Sequence, residues 1–257
     1  MTLMTSKPVH AAESQHWYTK DGYPAYEVMS KKGTMRPTTL RDARKMGLVP
    51  SVTTIIRQAA SPGLDAWKQQ QVLHAALTLP LIQGESEEDY LDRIMKDSKE
   101  TGRKASERGT AIHTAIEGHY AGEQVSGEYS HHIEGVRTAI DLHFGSHQWI
   151  PEKSFATKLG FGGKLDLCGV GGVIDIKSKE FGPDSLPKGY DEHLMQLAAY
   201  RMGIDLPSAR CANVFVSVTK PGLVHIVEWS EDDLQRGWKM FCGLLDFWYA
   251  KTGLQRG

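Results

Sequence analysis

Cysteine is scarce in this chain, and neither sign of charge dominates. Only Cys168, Cys211 and Cys242 occur, with no Cys-x-x-Cys spacing. That excludes a thiolate zinc site or an iron–sulfur cluster and leaves three small apolar side chains suited to a reducing compartment. A formal net charge of −1 excludes a global basic field, so any nucleic-acid contact must come from a local cleft. No apolar run reaches the length of a membrane span, and residues 1–17 lack the apolar core of a secretory signal. Internal repeats, low-complexity tracts and the His-Glu-x-x-His pattern of zinc peptidases are absent too. A cytoplasmic protein with no membrane partner is expected.

What is present is an ordinary globular composition, 40% hydrophobic and 24% charged, in a chain long enough to bury a core without staples. Residues 1–15 read as a disordered lead. Asp21-Gly22, flanked by Trp17, Tyr18, Tyr23 and Tyr26, is a hairpin signal. Those aromatics either form a small local core or stack on bases. Lys31, Lys32, Arg36, Arg41, Arg44 and Lys45 form the densest basic stretch, a solvated face or a strand-tracking surface. The short β-branched segment 50–56 gives way to a helix over 62–79, with Pro62 in its first turn. Residues 86–100 predict an acidic amphipathic helix.

A further helical stretch over 101–121 places Thr110, His113 and Glu117 on one stripe and Ile112, Ala115, Ile116 and His119 on another. Gly109 suits close approach to a neighbour. A helix over 130–144 ends at Gly145, and 149–158 alternates as a strand with Glu152, Ser154, Ala156 and Lys158 on one face. The loop 179–190 precedes a helix capped by Asp191, with His193, Gln196 and Tyr200 as its polar stripe. Strands over 211–219 and 223–229 turn at Lys220-Pro221-Gly222. Ser230 caps a last helix whose apolar face is Leu234, Trp238, Phe241, Leu245 and Trp248.

The most informative stretch lies between these parts, at 161–177. It predicts two strands joined by a glycine-rich turn at 169–172. Alternation puts Lys164, Asp166 and Cys168 on one face of the first strand, and Val173, Asp175 and Lys177 on one face of the second. Asp175 is the anomaly: a carboxylate in an apolar run is costly to bury unless paired or bound to a metal. Two carboxylates and a lysine on one sheet edge suggest a divalent-metal phosphodiesterase site.

Four segments occur in order: Gly-Thr-Ala-Ile-His-Thr-Ala-Ile-Glu (109–117), Gly-Gly-Lys-Leu-Asp (162–166), Ile-Asp-Ile-Lys (174–177) and Gln-Leu-Ala-Ala-Tyr (196–200). Their order resembles the PD-(D/E)XK nuclease superfamily, and within it the RecB-like exonuclease branch of phage type. The resemblance covers about residues 101–230, with a looser match at Pro-Ser-Val-Thr-Thr-Ile (50–55). Leu165 stands where the superfamily name has proline, and the four cysteines of an iron–sulfur cluster found in several relatives are missing.

The resemblance implies an α/β fold, with a central mixed β-sheet flanked by helices as a restriction-endonuclease-like core and a helical N-terminal region. Residues 1–60 would then carry the lead, hairpin and basic segment, and 61–257 the nuclease domain with a helical arch over about 62–145. It implies a Mg2+- or Mn2+-dependent DNA exonuclease serving recombination, replication or DNA breakdown. Asp166, Asp175 and Lys177 would be catalytic, with His113, Asp166, Asp175 and the Ile176 carbonyl as metal ligands. Gln196, Tyr200, Arg103 and Arg108 would contact DNA, Lys104 being a similar candidate, and Glu117 and Glu152 would give support. A structure-specific endonuclease, a catalytically silent DNA-binding module and a small-molecule metallohydrolase are the alternatives.

Overall fold

The computed structural model describes residues 16–256; the lead over residues 1–15 lies outside them. The described chain opens with β1 (Trp17–Tyr18), β2 (Glu27–Met29) and β3 (Met35–Pro37), then α1 (Leu40–Met46), β4 (Val49–Pro50) and α2 (Val52–Ile56). Three helices follow: α3 (Pro62–Thr78), α4 (Glu87–Tyr120) and α5 (Ser130–Phe144). Next come β5 (Trp149–Pro151), β6 (Ser154–Ala156), β7 (Gly162–Lys164), β8 (Leu167–Gly169) and β9 (Gly172–Lys179). The last elements are α6 (Asp191–Gly203), β10 (Cys211–Ser217), β11 (Val224–Trp229) and α7 (Glu231–Thr252).

A mixed five-stranded sheet of order β11-β10-β9-β8-β5 forms the centre. Only β9 and β10 run parallel, joined by the crossover through α6; the other neighbours are antiparallel. Side chains alternate across β9. Val173 joins the core beneath α6 and α7, with Leu194, Leu197, Phe241 and Trp248. Ile174 and Ile176 point the other way, into a second core built with Ile112, Ile116, Val136 and Ile140 of α4 and α5. The result is three layers, helices on both faces of one sheet.

Several expectations change at particular residues. The turn at Asp21-Gly22 closes one bridge, Tyr18 to Pro24, rather than a two-stranded hairpin. β1 instead pairs with β4. Trp17 and Tyr18 are buried, Trp17 edge-on to Trp248, so they belong to the core and not to a base-stacking surface. Segment 52–56 is helical despite its β-branched residues. Ser51 Oγ caps it by accepting from the Thr54 N–H, and Val52, Ile55 and Ile56 are buried; packing overrides propensity here.

The two helices expected over 86–121 are one, α4, of 34 residues. The helical region over 62–145 comprises α3, α4 and α5. α3 packs along α4, whereas the second half of α4 and α5 pack on the sheet through Ile112, Ile116, Val136 and Ile140. The expected strand over 149–158 breaks into β5 and β6 at Glu152, whose φ of 53° is left-handed, a conformation uncommon for a residue with a side chain. Tyr190, not Asp191, occupies the cap position of α6.

Candidate active site

The site forms where β8 separates from β9. Their pairing ends at Leu167 opposite Ile174, and β7 and β8, expected as one strand, are split at Leu165 and Asp166. Beyond that point β9 continues with its edge open toward the departing chain. Asp166 Oδ2 fills part of the gap by accepting from the Ile176 N–H at 2.6 Å. The N–H and C=O of one strand residue leave the same edge, so the Ile176 carbonyl faces this gap as well.

α4 delivers a histidine to the same place. Gly109 is the reason it can come so close: a Cβ there would stand 2.5 Å from Ser178 Oγ of β9. One turn later, His113 Nε2 lies 3.0 Å from Asp166 Oδ2, and His113 Nδ1 lies 3.1 Å from Glu117 Oε1. His113, Glu117 and Asp166 offer ligand atoms that all fall within 4.8 Å of one another. Two carboxylates and one imidazole make a hard, oxygen-rich donor set that fits Mg2+ or Mn2+.

Asp175 and Lys177 occupy the adjoining face, toward α6. Asp175 is 1% exposed, and both its oxygens are engaged. Oδ1 accepts from Lys177 Nζ at 2.9 Å, and Oδ2 accepts from Asn213 Nδ2 at 2.7 Å. Lys177 Nζ also donates to Gln196 Oε1 at 3.2 Å, and Gln196 Nε2 donates to Tyr200 Oη at 2.9 Å. Asn213 Oδ1 accepts from Trp229 Nε1 at 2.8 Å. A continuous polar chain therefore runs from β11 through β10 and β9 to α6, inside an otherwise apolar layer.

Burial and neighbouring charge set the protonation of these groups. Burial pulls His113 down, but hydrogen bonds to Asp166 and Glu117 outweigh it and push its pKa up to about 10. With both ring nitrogens facing carboxylates, the imidazolium fills the space between them. Burial raises Asp166, but the His113 hydrogen bond and charge, with Lys177 and the Ile176 N–H, leave it below its ordinary value. Asp175 is pushed up to about 6 by burial, with Lys177 opposing and Asp166 adding. Burial lowers Lys177, yet Asp175 and Asp166 hold it above its ordinary value. Opposed shifts in a cluster of this kind are a mark of functional sites.

Two groups of expected residues thus come together, His113 with Glu117 and Asp166, and Asp175 with Lys177, Gln196 and Tyr200. Asp175 is not among the three residues of the ligand cluster; Glu117 is. Glu152 lies at the break between β5 and β6. Its N–H donates to the Asp166 carbonyl at 3.0 Å, while its side chain pairs with Lys164 rather than with the ligands. Arg103 is bound to Glu100 and Glu107 on its own helix, and Lys104 lies 3.7 Å from Glu100. Arg108 is exposed. Asn213 and Trp229 were not expected at the site. A fully buried asparagine in the run Cys-Ala-Asn-Val-Phe-Val (211–216) carries the same signal as Asp175, a polar group that must have a partner.

Among the described residues, no helix is long and apolar enough to cross a membrane. Compared with known protein families and curated proteins, the chain matches no family model and no curated sequence.

Proposed function

We propose that this chain is a metal-dependent deoxyribonuclease with a restriction-endonuclease-like core, hydrolysing phosphodiester bonds at free DNA ends. The observation that carries the reading is the juxtaposition of Lys177, held by Asp175 on one strand face, with the His113–Glu117–Asp166 cluster at the open edge of the same strand. Those three residues would hold Mg2+ or Mn2+, with the Ile176 carbonyl facing the same gap. When bound, such an ion supplies charge neutralisation at the phosphoryl oxygens and lowers the pKa of a coordinated water.

The chain's own residues do the rest. Lys177 Nζ is a fixed donor for a phosphoryl oxygen whose charge grows in the transition state. Asp175 and Gln196 fix that ammonium from two sides, and Tyr200 and Asn213 fix those in turn. The buried setting on α6 and β10 keeps all of them preorganised.

A structure-specific endonuclease is the second reading, and one observation favours it. The segment 62–102 carries eight carboxylates against four lysine or arginine side chains. Such a surface does not attract a threading strand.

Linear end-labelled DNA and a closed single-stranded circle, each incubated with Mg2+ and with Mn2+, separate the readings. Degradation of the linear strand alone is expected. Asp175→Asn and Lys177→Met are expected to lower the rate about 100-fold or more while the protein still melts cooperatively. Wild-type rates in both variants overturn the proposal, and equal cutting of the circle selects the endonuclease.

A further inference from the structure

Three separate elements converge where β1 meets β7. His16 leads into β1, and its carbonyl accepts from the Ser51 N–H at 2.9 Å. Ser51 caps α2 and bridges to Gly162 of β7, which brings Arg57 at the end of α2 and Lys164 at the end of β7 to the same region. The His16 ring is stacked on Tyr26, with centroids 4.5 Å apart and planes 26° from parallel. Tyr26 is fixed in turn, its Oη lying 2.6 Å from Tyr18 Oη. Tyr18 is buried, Tyr26 half-buried and His16 exposed, so the stack is anchored in the core at one end and open to solvent at the other.

Cations flank this stack. Burial lowers the His16 pKa, and the positive charges of Arg57 and Lys164 lower it further, so both side chains stand close to a neutral ring. Burial also lowers Lys164, but its hydrogen bond to Glu152 and the charges of Glu152, Glu117 and Tyr26 hold it above its ordinary value. Lys164 therefore lies between the stack and the Glu117 end of the ligand cluster. Arg57 faces the other way as well: with Gln196 it lines a cleft of about 670 Å³, and Gln196 Oε1 accepts from Lys177 Nζ. The carboxylates of this surface are largely engaged, Glu152 with Lys164 and Glu192 with Ser61 Oγ, while Asp65 stands 3.8 Å from Lys68.

We propose that His16, backed by Tyr26, is a stacking platform for one base of the single strand that leads into the site, with Arg57 and Lys164 holding the phosphates beside that base. The inference rests on the nuclease reading for the nature of its ligand. Single-strand sites combine these two parts, aromatic faces for the bases and a basic lining for the backbone. A chain of net charge −1 has no general field to supply the second part, so local cations must do so. An ammonium has three donors, so Lys164 can take a phosphate oxygen while still paired with Glu152. Every base has a face to stack, and no base preference is expected.

The test reads binding rather than cleavage, by anisotropy titration in EDTA of a fluorescein-labelled oligothymidylate and of an equally long strand made only of abasic residues. His16→Ala is expected to weaken binding of the oligothymidylate about 5- to 100-fold and to leave binding of the abasic strand unchanged. His16→Phe keeps an aromatic face and is expected to bind as the wild type does. Arg57→Gln and Lys164→Gln are expected to weaken both strands, each lowering the slope of log affinity against log salt by about 0.7. Wild-type affinity for the oligothymidylate in His16→Ala overturns the proposal, as does a loss shared equally by the two strands, which would mark a structural role. An unchanged salt slope in both cation variants overturns the phosphate contacts. Because nothing is cut in EDTA, the outcome is separate from the nuclease reading. A protein that binds with the expected His16 dependence but cuts no DNA keeps the platform and loses the nuclease; one that cuts DNA but binds without regard to His16 does the reverse.

Discussion

Asn213 Nδ2 donates to Asp175 Oδ2 at 2.7 Å from the directly paired position on the neighbouring parallel strand. Its Oδ1 accepts from Trp229 Nε1, which fixes the orientation of the amide. Asp175 is therefore aimed by its neighbours: Asn213 holds one oxygen and leaves the other for Lys177. A carboxylate this deeply buried would be costly if unpaired. Here each of its oxygens has a donor, and the same hydrogen bonds position the ammonium that the proposed chemistry needs.

Asn213→Ala is the direct check on that arrangement. It strips Asp175 Oδ2 and Trp229 Nε1 of their partners at once, and an unsatisfied buried group costs about 1–3 kcal/mol. Urea melts should show a loss of that order. Nuclease activity should fall about 10- to 100-fold, as for other residues that orient a catalytic or ligand group. A variant with wild-type activity and stability would show that Asp175 needs no aiming.

How much of this was legible in the sequence depended on whether the signal was local. The ends of α5 follow from Gly145 and a 3.6-residue period, and the turn between β10 and β11 from Lys220-Pro221-Gly222. The alternation in β9 correctly separated Val173, Asp175 and Lys177 from Ile174 and Ile176. Other features depend on distant partners. Composition places a boundary near Gly102, yet α4 passes through it; a Cβ at Gly102 would meet the Trp67 ring of α3 at 3.3 Å, so the glycine serves helix packing. The breaks at Glu152 and at Asp166 exist because the chain leaves one strand partner for another. Alternation along one segment cannot show where its partner ends.

His193 makes stability depend on pH, with a definite sign. Its Nδ1 accepts from the Tyr190 N–H at 3.3 Å, which requires the neutral ring. Burial, followed by the positive charge of Lys177, lowers its pKa to about 4, with Glu192 opposing and Lys179 adding. The stabilisation is fully present above the unfolded value near 6.5 and is lost as pH falls toward 4, by at most about 3 kcal/mol. Asp175, raised to about 6, works in the opposite direction over an overlapping window, so wild-type melts alone would understate the effect. The difference in unfolding free energy between wild type and His193→Gln cancels the Asp175 contribution. That difference should shrink between pH 7.5 and pH 4.5; a constant difference would refute the assignment.

His113 titrates on the other side of neutrality. Raised to about 10, it contributes stability below the unfolded value near 6.5, and that stability is lost as pH climbs through 10. In chelator-treated protein the melting temperature should therefore fall from pH 7 to pH 10. A metal at His113, Glu117 and Asp166 replaces the ring proton, so its binding must strengthen as pH rises. The rise in melting temperature on adding Mn2+ should be larger at pH 8.5 than at pH 6.5, and should vanish in His113→Ala. A Mn2+ shift that survives in that variant places the ion elsewhere.

The approach of α4 to β9 at Gly109 ties stability to the site. Gly109→Ala should gain up to about 1 kcal/mol of helix propensity, but its Cβ would stand 2.5 Å from Ser178 Oγ. That oxygen must rotate away, or α4 must move, and His113 sits one turn further along the same helix. Removing the oxygen with Ser178→Ala leaves the serine Cβ at an ordinary 3.6 Å. A double-mutant cycle should thus show coupling, with the pair more stable than the sum of its singles predicts. If α4 moves in the single variant, Gly109→Ala should also lose metal-dependent activity, and Gly109→Ala with Ser178→Ala should recover it. Independent, additive effects would mean that Ser178 yields freely and that the height of His113 over the gap is set elsewhere along α4, at Ile112 and Ile116 in the second core.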